Sequence, residues 1–150
     1  MDLYEIWNEN RTRIPEGRYS LRCVKAAKSS FWLEGKGGWG KSEKVMMMFE
    51  VFSTGDYHGA LIPMFFALSD DGKIHQGSKY YQCWCVANGL RKPARGRLKE
   101  MPPSKFLNKV FSGDVVTVKP KYENGQEQPE LFHYSKVQRL YELEVGNPDL

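Results

Sequence analysis

The sequence predicts a mainly β chain, and three observations carry that prediction. The stretch "GRYSLRCVKAAKSS", from Gly17, alternates: Tyr19, Leu21 and Cys23 fall on one face, Ser20, Arg22 and Val24 on the other. Short apolar runs are bounded by turn-forming residues, as in "KVMMMFEVF", "STGDYHG" and "ALIPMFFAL". Asn124-Gly125, inside "YENGQEQP", is a strong hairpin signal between two later runs.

Each element follows in order. Residues 1–13 read as a polar N-terminal extension, ending in the turn signal "IPEG". A long, half-exposed first strand begins at Gly17, and a glycine loop, "GKGGWGKS" at 35–42, follows it. Residues 44–52 are too short and too abruptly bounded for a good helix, so they read as the second strand. Pro63 places the third strand at a sheet edge or a bulge. "SKYYQCWCVANGL" then changes character: Tyr81, Trp84 and Cys85 have helical spacing, Ser78 is an N-cap and Gly89 a stop. Ser104 is expected to cap a short helix with Leu107, Val110 and Phe111 on its apolar face. "DVVTVKPKY" and "LFHYSKVQRLYE" are the fourth and fifth strands. Three strands, a helical segment and two strands are the order of a five-stranded Greek-key barrel, the OB-fold. The expected division is an extension over 1–13, the OB-fold domain over 14–140 and an acidic tail over 141–150.

With 150 residues the chain suits one domain with a real core. Four Trp and eight Tyr are more rings than such a core must contain, so some are expected at a binding surface. A net charge of +4 permits a polyanionic partner. Its distribution is more telling: Arg91, Lys92, Arg95, Arg97 and Lys99 crowd one stretch without an acid among them, which suits phosphate contact. Cys23, Cys83 and Cys85 form no disulfide framework, and Cys83-x-Cys85 lacks the second pair a zinc site needs. Reduced thiols, a cytoplasmic location, no signal peptide, no membrane span and no metal or other cofactor are the expectations. His58, His75 and His133 are scattered near turns, and no nucleophile elbow or deaminase pattern appears, so no catalytic residue is nominated.

"GKGGWGKS" also matches G-x-x-x-x-G-K-S, the phosphate loop of nucleotide hydrolases. That loop works only between a strand and a helix, and "SEKVMMMFEVF" has no clean amphipathic face. An enzyme using Gly35–Ser42 therefore remains an alternative, beside a phage-encoded interaction module or inhibitor. The favoured chemistry is a groove for single-stranded DNA, where cations follow phosphates and aromatic faces stack on bases. Lys36, Lys41 and Lys44 supply charge, and Phe31, Trp32 and Trp39 supply rings. Lys121 and Tyr122, beside the second loop, and Arg91, Lys92, Arg95 and Arg97 complete the candidate interface. Against this, Trp39 could fold back onto the barrel, the lysines could merely solvate the loop, and Trp84 and the Met46–Met48 run belong with the core. Strand alternation still sends part of that run to the opposite face.

"IPEGRYSLRCVKAAKS", "KVMMMFEVFSTGDYHGALIPMFFAL" and "KVFSGDVVTVKPKYENGQEQPELFHYSKV" together resemble small phage and mobile-element single-strand-binding proteins. The likeness spans about 14–138 and rests on a P-x-G-x-Y opening strand, a Lys/Gly/Ser-rich loop and a late G-x-x-v-x-v strand. It implies an OB-fold, a non-catalytic role in phage or mobile-element DNA replication or recombination, and a bacterial host cytoplasm. Single-stranded DNA is the implied partner, replication or recombination proteins are candidate further ones, and a homodimer is an open option. Two features depart from the family pattern: the inserted-looking "EGKGGWGK", and an end, "GNPDL", without the aromatic tip of the housekeeping bacterial proteins.

Overall fold

The computed structural model describes residues 3, 7, 11–35, 38–68 and 73–145; for 29–35, 38–43 and 145 the description is of the backbone. Five strands form one antiparallel sheet: β1 Gly17–Gly35, β2 Gly38–Val51, β3 Leu61–Ala67, β4 Val110–Val118 and β5 Tyr134–Val145. An α-helix, α1 (Lys79–Ala87), follows β3 along the chain, and a 3-10 turn, Pro103–Phe106, precedes β4. The sheet order is β3-β2-β1-β4-β5. Its two edges, β3 and β5, approach each other, and α1 packs against both, so the sheet curls into a barrel-like shape.

Strand alternation explains the core. Leu21 and Cys23 of β1, Val45, Met47, Phe49 and Val51 of β2, and Ile62, Met64 and Phe66 of β3 all turn inward and are buried. Phe111, Val115, Val137 and Leu140 close the same core from β4 and β5. β1 is shared between two partners. Gly17–Arg22 pairs with β4, while Leu21–Gly35 pairs with β2, and a register shift between Cys23 and Lys25 marks the change. Such a bulge bends the strand and lets it leave one neighbour while keeping the other. Where β1, β4 and β5 crowd together, a Cβ on Gly113 would stand 2.9 Å from both the Arg139 carbonyl oxygen and Leu21 Cδ1. Pro63 lies on β3, at the sheet edge, where a missing N–H is least costly.

Three local expectations change. The buried face of α1 is Tyr80, Cys83, Trp84 and Ala87, with Tyr81 and Cys85 partly exposed. The Ser78 hydroxyl does accept the Tyr81 N–H at 3.2 Å, and at the other end the buried Lys109 ammonium donates to the Ala87 carbonyl at 3.1 Å. A cation there suits the negative end of the helix. Ser104 caps nothing: it lies inside the 3-10 turn that starts at Pro103, and Val110 and Phe111 already belong to β4. Proline enforces the tight turn at its first position but leaves no side-chain cap. Within the extension taken as polar, Leu3 and Trp7 are buried, at 9% and 3% exposure.

Candidate nucleic-acid interface

The glycine stretch is the first correction at the site. β1 runs on to Gly35 and β2 begins at Gly38, with Gly35 paired to Gly38, Glu34 to Trp39 and Trp32 to Lys41. What read as a loop is mostly the two arms of a β-hairpin. Strand, not helix, follows the lysine of "GKGGWGKS", so the helix N-terminus of a phosphate loop is not there. Lys36 lies outside the described residues, as do the side chains of Phe31, Trp32, Trp39 and Lys41. Lys44 stands opposite Ala67, where β3 ends, and burial lowers its amine pKa.

The basic stretch is brought together more fully. Lys92, Arg95 and Arg97 line an open cleft of about 490 Å³ with Lys73, His75, Gln76 and Tyr81. Among the described residues that line it, none is acidic. The construction starts from the core. Ile74 is buried, so Lys73 and His75 on either side are left exposed. Lys73 forms an antiparallel bridge with Arg97, and the Ile74 N–H donates to the Gly96 carbonyl at 2.6 Å. Gly96 permits this approach, since a Cβ there would lie 2.5 Å from the Ile74 carbonyl oxygen. On the other side α1 pins the exit of the basic loop. The Tyr80 hydroxyl donates to the Met101 carbonyl at 2.6 Å, and the Trp84 indole N–H to that of Pro102 at 3.2 Å. Trp84 is thus a core residue, as expected, with burial strongly raising the Tyr80 hydroxyl pKa beside it.

The remaining candidates fall elsewhere. Arg91 is tied to the C-terminal end of α1: its Nε donates to the Asn88 carbonyl at 3.3 Å, and the Asn88 amide donates back to the Arg91 carbonyl at 3.0 Å. It does not line the cleft. Lys92 lies close enough to Cys85 to oppose the upward pull of burial on that thiol. Lys121 and Tyr122 are exposed on the β4–β5 loop, whose turn closes through Gly125 N–H to the Tyr122 carbonyl at 2.9 Å. Leu131 and Phe132 are exposed on the same loop.

Lys73, His75 and Tyr81 are the residues that sequence reasoning missed. "DDGK" reads as a turn, and Tyr81, expected on one helix face with Trp84 and Cys85, is partly buried against the core and also lines the cleft. The available signal was the apolar Ile74 set between two basic residues in "KIH".

Cations from two separate segments line the cleft together with Tyr81 of the first turn of α1, whose dipole adds positive potential, an arrangement that favours anions. Among the described residues no helix is long and apolar enough to cross a membrane. No protein-family model matches the chain, and neither a curated protein nor a solved structure matches it.

Proposed function

We propose that this protein is a non-catalytic single-stranded-DNA-binding protein built on an OB-fold, acting in phage or mobile-element DNA replication or recombination. The observation that carries the reading is the cleft in which Lys73, Lys92, Arg95 and Arg97 meet Tyr81, with no acid among its described lining residues. Phosphates attract such a cluster whatever the sequence, and a ring beside it gives a base somewhere to stack. The strand connectivity supports the fold: joining the edges of the order β3-β2-β1-β4-β5 gives the cyclic order of an OB barrel, with a helix against the β3–β5 seam. In that fold the outer face of β2 and β3 and the flanking hairpin loops take oligonucleotides, which brings the β1–β2 hairpin and the Lys121–Tyr122 loop into the same interface.

Titration with fluorescent oligo-dT and with a duplex of equal length, each at two salt concentrations, tests the reading. Preferential binding of the single strand and a negative log–log salt slope are expected. The exposed triple variant Lys92→Gln, Arg95→Gln and Arg97→Gln should flatten the slope by about 0.7 for each phosphate that is no longer neutralised. An unchanged slope would remove the cleft from the interface, and no binding by the wild type would end the reading.

A further inference from the structure

The barrel carries an apolar face outside as well as inside. Met46 and Met48 turn away from the main core and join Leu3 and Trp7 in a second buried cluster, flanked by Val24, Ala27, Phe65 and Tyr134. The cover is made by Leu3 and Trp7. From Thr12 onward the chain is fixed to β5: the Ser135 N–H donates to the Thr12 carbonyl at 2.9 Å, and the Ile14 N–H to the Ser135 hydroxyl at 2.8 Å. Ahead of that anchor, Trp7 stands edge-on to Phe65 and to Tyr134, with ring centroids 5.2 and 4.9 Å apart. The Arg11 guanidinium lies 4.9 Å from the Trp7 ring and 4.8 Å from the Tyr134 ring. Leu3 also lines a notch of about 300 Å³ with Val24, Lys25, Ala26, Ala27 and Leu107.

The Trp7 indole is therefore held edge-on to two aromatic rings, over methionines, beside a guanidinium. Aromatic rings and a guanidinium are the groups with which single-strand binders hold an unstacked base and its phosphate. We infer that Trp7 fills a nucleobase site on the outer face of β2 and β3, and that single-stranded nucleic acid competes with the protein's own indole for it. The inference rests on the single-strand-binding reading above. Exchange of one ring for another keeps Met46, Met48 and Phe65 covered, so the apolar surface newly exposed on displacement is that of the indole itself. Arg11, next to the Thr12 anchor, stays at the site to meet the incoming strand. Affinity is then set partly by how often Trp7 leaves, because only the vacated site binds.

Hydroxyl-radical footprinting of wild-type Trp7, free and saturated with oligo-dT, reads the exchange directly and needs no variant. A protected indole that becomes reactive in the complex is the expected result. Trp7→Ala should bind oligo-dT about ten-fold or more tightly, the inverse of an open population of about 10% or less. Trp7 still protected in a saturated complex, or equal or weaker binding by Trp7→Ala, overturns it and leaves the single-strand reading standing on the cleft. If neither protein binds oligo-dT, the reading fails and the inference with it.

Discussion

Gly96 has no room for a side chain, and the shape of the basic cleft depends on that. Its backbone lies against that of Ile74, with the 2.6 Å hydrogen bond between them holding Lys73 and Arg97 side by side. A methyl group at Gly96 must push this contact open, because the nearest atom is a backbone oxygen at 2.5 Å and not the tip of a flexible side chain. Gly96→Ala should cost about 1–3 kcal/mol of stability, as overpacking does, and weaken oligo-dT binding although no cation is removed. Urea denaturation and the fluorescence titration check the two effects. Normal stability together with normal binding would mean that the two segments need not touch for the cleft to work.

At the scale of the element, the β1–β2 hairpin separates two chemistries that the sequence alone leaves open. In a phosphate loop, backbone N–H groups converge on the anion; in a hairpin arm they alternate outward and toward the neighbouring strand. With Lys41 opposite Trp32 in the ladder, isothermal titration should detect no Mg²⁺-dependent ATP binding by the wild type or by Lys41→Ala. Saturable ATP binding that Lys41→Ala abolishes would restore the enzyme reading. Trp39 pairs with Glu34 near the hairpin tip. Trp39→Ala should lose about 1–3 kcal/mol of oligo-dT affinity, the usual worth of one stacked base, and barely change the melting temperature. Normal affinity with a much lower melting temperature would place the ring in the core.

For the whole molecule, burial couples stability to alkaline pH. Burial pushes the Cys23 thiol up to about 12 and the Cys83 thiol up to about 11, from an ordinary value of 9.0. The folded values lie above the unfolded one, so the folded state favours the protonated thiols. Their contribution is complete below pH 9.0 and is lost as pH rises from there through about 11 and 12. The raised Tyr80 hydroxyl acts in the same direction, while the lowered Lys44 and Lys79 amines act against it. The double variant Cys23→Ala and Cys83→Ala isolates the thiol part. Its stability, lower overall, should fall less steeply above pH 9 than that of the wild type. Identical slopes in urea denaturation across this range would show that the thiols do not carry the coupling.

The mainly β character, the five strands and the turn at Asn124-Gly125 were legible in the sequence, because alternation and turn chemistry are local. The buried role of Trp84 was legible too, since an apolar ring at helical spacing has few other places to go. The face of α1 was misjudged by one residue, because only packing against β3 and β5 decides which side of a short helix is inward. The joining of Lys73 and His75 to Arg95 and Arg97 could not be read from spacing: about twenty residues and a helix separate them, and one backbone contact at Gly96 brings them together. Nor could the burial of Trp7. In sequence Leu3, Tyr4 and Ile6 accompany it in a polar segment, and Phe65 and Tyr134 reach it only after β3 and β5 have been drawn together by the closing sheet. Local propensity decided the elements; long-range curling of the sheet decided which side chains share a surface.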